Sequence, residues 1–128
     1  MSAPAIRRLN MQFRGKDCIT DVLSFEYEKP TGNRSTQIPE EPHLGDIAIA
    51  LVPAQKNARQ IGHSVDHEIC FLIVHGTLHI CGYDHVRKQD EEVMIRLQRR
   101  LMLKLKRAKL LPRAGQLIRK VRPVELLI

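Results

Sequence analysis

The sequence predicts one small domain of the α/β (α+β) class. Three observations carry this. The chain has 128 residues, enough for a single core and too few for two. Two short segments, TDVLSFEY (20–27) and GDIAIAL (45–51), have the β-branched, aromatic and apolar content of strands. Longer stretches after them repeat apolar residues at helical spacing. Apolar residues make up 43% of the chain but aromatics only 4%, and tryptophan is absent. The core must therefore be built from Leu, Ile and Val.

In chain order, residues 6–15 read as a short helical turn or loop, with Leu9 as its apolar contact and Arg14-Gly15 as a break. The first strand follows. Residues 28–44, rich in Pro, Gly, Asn and Ser, read as a surface loop. After the second strand, Pro53 suits the first position of a helix that stops at Gly62. Ser64 can cap the next helix, and Asp66 and Glu68 in its first turn oppose the positive end of the helix dipole. That helix runs to Ile80 and is apolar around most of its circumference, so it belongs in the middle of the domain. A last helix, residues 88–110, carries Met94, Leu97, Leu101, Leu105 and Ala108 on one face, and Pro112 ends it. Residues 1–111 form the domain and residues 112–128 a loosely held basic tail.

The net charge of +7 is uneven, because basic residues accumulate from Arg96 onward and Glu125 is the only acid there. Polyanions are the favoured partners, although a solvated basic helix is the plainer reading of charge alone. Lys104, Lys106 and Arg107 open a basic run to Arg122 that could touch RNA phosphates; such binding weakens steeply with salt. Cys18, Cys70 and Cys81 are odd in number, Cys70 and Cys81 sit in apolar sequence surroundings, and no disulfide framework is implied. No leader peptide and no apolar run of membrane-spanning length is visible, so a cytoplasmic protein with no membrane partner is expected.

The chemistry is concentrated in HGTLHICGYDH (75–85). His75 and His79, four residues apart on a helix, emerge on one face roughly 6 Å apart and can share one ion. Gly82 permits the reversal that brings His85 to the same ion. The frame HxxxHxxGxxH is that of the metzincin zinc enzymes, which place a glutamate base directly after the first histidine; here that residue is Gly76. Peptide hydrolysis by the usual zincin route therefore lacks its base. Three neutral nitrogens leave a tetrahedral Zn2+, one per chain, with an open position, which is the catalytic pattern; Cys81 is the one candidate for closing it into a structural site. A single histidine is more often a hydrogen-bonded core residue than a ligand, but three in one frame outweigh that. His43, His63 and His67 stand outside the frame, as surface or capping residues. Asp84 either orients a ligand or acts on water, or else caps the turn; Tyr83 is a packing residue with its hydroxyl near the surface; Asp46 ends a strand.

With these motifs in place, the sequence resembles the YbeY family of rRNA maturation factors, metal-dependent endoribonucleases. LNMQFRGKDCITDVLSF is similar to the family's arginine-containing turn and first core strand, LGDIAIA to its next strand, and HGTLHICGYDH to its zinc signature. The resemblance spans Leu9 to about Leu101. It implies zinc on His75, His79 and His85, a part in activity for Arg14, and a small mixed sheet with the zinc helix packed across it. It also implies single-strand RNA cleavage in 16S rRNA 3′-end processing and ribosome biogenesis, with ribosomal RNA and the small ribosomal subunit as partners and no small-molecule cofactor. Two features depart from the family: Phe13 stands where a tyrosine precedes the arginine, and since the given sequence starts almost at that turn, the strand, helix and strand that open family members are expected to be missing from it. Two other readings stay open, a non-catalytic zinc-stabilised rRNA-binding assembly factor and a metallopeptidase.

Overall fold

A computed structural model describes residues 1–26 and 44–111. The loop expected over 28–44, except its last residue, lies outside the described residues, as do Pro112 and the basic tail. The order of elements is α1 (Ala3–Arg14), β1 (Val22–Glu26), β2 (Gly45–Ile49), α2 (Leu51–Ile61), α3 (Val65–Ile80) and α4 (Lys88–Arg107). Among the described residues the sheet is one antiparallel pair, with Val22 opposite Ile49 and Glu26 opposite Gly45. The resemblance implies a mixed sheet, whereas among the described residues the pairing is antiparallel only.

Both faces of the strand pair carry apolar contacts, and the alternation of side chains along β2 separates two clusters. Ile47 and Ile49 meet Ala54 of α2 and Ile69 and Leu72 of α3. Ala48 and Ala50 point the other way, to Leu23 and to Ile6 of α1. The domain is therefore layered, with α1 on one side of the sheet and α2 and α3 on the other. The small side chains of Ala48 and Ala50, both fully buried, let α1 approach closely.

Most predicted elements are present, and three differ. The expected short turn at 6–15 is a twelve-residue helix. Its signals were local: Ser2 caps it by accepting from the Ala5 N–H at 3.2 Å, and Pro4 lies in the first turn, where a missing N–H costs nothing. Helix α2 begins two residues earlier than expected, so Pro53 is its third residue, still within the first turn. On α4 the buried stripe is Met94, Gln98 and Met102. Leu97 and Leu105 are half-buried, while Leu101 and Ala108 are exposed. Both stripes have helical spacing, and the polar partner that α3 presents to α4 decides between them. Cys81 is exposed and Cys70 half-buried, so the apolar surroundings read around Cys81 do not enclose it.

Candidate metal centre

Helix α3 is positioned by its N-terminal cap and its apolar contacts. Ser64 Oγ accepts from the His67 N–H at 3.1 Å. His63 Nε2 lies 2.5 Å from Oε2 of the buried Glu68, which explains His63 as a partner of the helix start and not a ligand. His67 stacks against His63, and burial lowers its pKa ahead of the repulsion from His63. His43 lies outside the described residues.

The helix packs so tightly on β2 that a Cβ at Gly76 would lie 3.1–3.3 Å from three side-chain carbons of Ile47. This gives a physical reason for the missing zincin glutamate: the position after His75 faces the sheet, and any side chain there would press on Ile47, which must give way. Gly76→Glu is expected to destabilise the chain by about 3 kcal/mol or more, through overpacking and burial of a carboxylate. Chemical denaturation checks it; a variant as stable as the parent would show that α3 and β2 are not in close contact.

At its far end α3 turns through Cys81 and Gly82. The Cys81 N–H donates to Thr77 O at 3.0 Å and the Tyr83 N–H to Leu78 O at 3.0 Å. Gly82 takes φ +96°, a value that side-chain-bearing residues rarely adopt. The reversal carries His85 back over the helix end. Asp84 Oδ1 accepts from the Val86 N–H at 3.2 Å, so the turn-capping role read for it is realised.

The outcome is convergence. Nitrogens of His75, His79 and His85 lie within 4.8 Å of one another, and the Nε2 atoms of His75 and His79 are 3.0 Å apart. Among the described residues no cysteine or carboxylate joins them, so Cys81 is not a fourth member of the cluster. Three imidazoles facing a common point form a donor set suited to one transition-metal ion with room for another ligand. The surroundings favour the neutral, ligating form. Burial, then repulsion from His79 and His85, lowers the pKa of His75 to about 4. His79 is lowered by burial and by His85, against which Asp84 acts in the opposite sense.

A pH dependence follows for the metal-free chain. An imidazole in the unfolded chain titrates near pH 6.5, whereas folded His75 stays neutral down to about pH 4. Across that window the unfolded state binds more protons, so lowering the pH from 6.5 to 4 weakens the fold. Thermal melts of chelator-treated protein check this, and a flat melting temperature over the window would contradict it.

His79 forms part of the wall of a cleft of about 320 Å³ that is also lined by Arg14, Ser24, Glu26, Gly82, Tyr83 and Asp84. Arg14, from the last turn of α1, donates through Nη2 to the Ser24 carbonyl at 2.5 Å, and its guanidinium carbon sits 5.9 Å from the Phe25 ring centre. Tyr83 is 41% exposed. Asp46 is exposed and is not among the residues lining the cleft. Lys104, Lys106 and Arg107 are exposed in the last turn of α4. They stand roughly 9–14 Å along that helix from the residue that touches His75, by the rise per residue of an α-helix. The structure therefore brings Arg14 and Asp84 to the histidines' cleft and does not bring the three basic residues there.

Three residues at or near the site carried no signal that sequence reasoning used. Gln98 contacts His75 across 23 positions of sequence at 2.6 Å. Asp21, held by Asn57 at 2.8 Å, is near enough for its charge to favour the protonated form of His75. Glu26 brings a second carboxylate to the cleft.

Fold and site together define a small α/β protein with a three-histidine cluster, able to grip one metal ion, beside an open cleft. Residues 1–106 match the family model described as Endoribonuclease YbeY. The chain belongs to this family. It is 46% identical over 98 residues to an Endoribonuclease YbeY of Gloeobacter violaceus, covering 76% of this chain and 50% of the relative. It is 45% identical over 93 residues to one of Desulforamulus reducens (70% and 58%). A relative from Limosilactobacillus reuteri is 43% identical over 107 residues (77% and 66%). The chain thus spans between half and two-thirds of the length of these relatives. Among the described residues, no helix is long and apolar enough to cross a membrane.

Proposed function

We propose that this chain is a zinc-dependent endoribonuclease that cuts single-stranded RNA, and that its substrate is ribosomal RNA of the small subunit, near the 16S 3′ end, in the cytoplasm. The observation that carries the reading is the convergence of His75, His79 and His85 beside a cleft that also holds an arginine. The printed names of its relatives supply the reaction class. On this reading residues 1–111 are the hydrolase domain.

The three imidazoles hold the metal, which when bound supplies a Lewis acid and lowers the pKa of a coordinated water toward about 7. The other roles fall to side chains. Arg14 commits one of its five donors to the Ser24 carbonyl, which braces α1 against β1 and aims the planar head. Its remaining donors suit the paired oxygens of a phosphodiester and offset the charge that develops during cleavage. Asp84 holds the turn that delivers His85, a positioning role, and its carboxylate and that of Glu26 are the acids within the cleft that can receive a proton. Lys104, Lys106 and Arg107 lie away from the cleft, so on this reading they hold distant phosphates of a longer RNA and take no part in the cut.

The test is cleavage of one RNA sequence presented as a single strand and as a duplex, with zinc-loaded chain. Single-strand cutting that a chelator stops and zinc restores is expected. No cutting by metal-replete, folded protein would overturn the enzyme reading in favour of a zinc-stabilised RNA-binding assembly factor, while cutting indifferent to chelator would overturn the metal dependence. Against the peptidase reading stands Gly76, the position of the zincin base, where an added Cβ would lie within 3.1–3.3 Å of Ile47.

A further inference from the structure

We infer that Gln98 is a positioning residue for the metal centre: its side-chain amide holds the ring of His75 in place and, with Oε1 turned toward Nδ1, supports the tautomer that ligates through Nε2. The inference rests on the metal-centre reading above and concerns a residue outside the three ligands.

The contact is specific. Gln98 lies in the middle of α4, 6% exposed, on a buried stripe between Met94 (1%) and Met102 (9%). An amide in an apolar stripe costs about 1–3 kcal/mol unless it is hydrogen-bonded. The Gln98 amide nitrogen Nε2 lies 2.6 Å from Nδ1 of His75, while Nε2 of the same ring faces Nε2 of His79 at 3.0 Å. The two nitrogens of His75 therefore have separate assignments, with Nε2 toward the cluster and Nδ1 toward α4.

The chemistry of a neutral imidazole does the rest. A metal takes the ring nitrogen that carries no proton, so ligation through Nε2 requires the proton on Nδ1, and a buried N–H there requires an acceptor. Glutamine supplies one in its Oε1. Its amide nitrogen can equally donate to an unprotonated Nδ1. The same side chain thus satisfies either tautomer: turned so that Oε1 faces Nδ1, it supports the form with its proton on Nδ1, which the ring reaches by exchanging its proton with solvent and which leaves Nε2 free to ligate. Methionine or leucine at position 98 would fill the stripe but leave Nδ1 without a partner. Packing alone therefore does not account for a glutamine here, and the His75 contact does. The metal site is in this way coupled to the α3–α4 interface.

The experiment measures zinc affinity by chelator competition for the parent chain, Gln98→Met and Gln98→Glu, together with melting temperatures of the metal-free proteins. Loss of an outer partner of this kind weakens metal binding about 10–100-fold. Gln98→Met is expected to show that loss while its metal-free form melts at or above the parent's temperature. Gln98→Glu, which retains an acceptor, is expected to recover most of the affinity. Unchanged zinc affinity in Gln98→Met would overturn the inference, and a lowered metal-free melting temperature alongside it would make Gln98 a packing residue only. Equal weakening in Gln98→Glu and Gln98→Met would overturn it as well. Should Gln98→Met fail to fold, Gln98→Leu is read in the same way. Parent chain that takes up no zinc overturns the metal centre itself, an outcome distinct from failure of Gln98's part in it.

Discussion

His79→Ala is expected to abolish both metal uptake and RNA cutting. His79 is central to the cluster: its ring centre lies 4.6 Å from that of His75 and 5.1 Å from that of His85, and it also forms part of the cleft wall. Binding free energies of about 10–16 kcal/mol spread over three or four ligands imply roughly 3 kcal/mol per imidazole, a loss of more than about 10²-fold in affinity. The side chain is only half-buried, so the fold should survive its removal. Metal analysis and cleavage assays on the same preparation check both halves. Cutting by His79→Ala at the parent rate would assign the activity to a contaminating nuclease.

Arg14→Ala is expected to keep the metal and lose cleavage by about 10²–10³-fold, the effect of removing one preorganised group from a site where negative charge develops. Arg14→Lys should recover little of it, because an ammonium cannot make the paired, planar contact of a guanidinium. The geometry also offers a competing role, since the bond from Nη2 to the Ser24 carbonyl ties α1 to β1. Zinc content separates the two. Retained zinc with weak cutting places Arg14 on the phosphate, whereas loss of zinc or a large fall in melting temperature makes it a brace of the fold.

The histidine frame was legible because each part of it is local. Four residues along a helix bring His75 and His79 to one face, and a glycine able to adopt positive φ lets the chain return with His85. The first helix is equally local, but its signal lies in the Ser2 cap and Pro4 and not in the apolar pattern of residues 6–15. On α4, counting apolar residues favoured the leucines at 97, 101 and 105, and the count failed at Gln98. Polarity marks a residue as exposed only when no buried partner waits for it, and here His75 waits on another helix.

By itself the sequence determined the three-histidine set, the helix and turn that carry it, the two strands beneath and the absence of a zincin base. All of these follow from backbone periodicity and residue type over a dozen positions or fewer. Only the tertiary structure decided which partners surround that set. Arg14 shares a cleft with His79 because the last turn of α1 reaches β1 at the Ser24 carbonyl, Gly76 suits its place because Ile47 lies close across from it, and Gln98 reaches His75 because α4 returns along α3. Contacts between residues far apart in the chain depend on how whole elements pack, and the spacing within any one element does not encode them.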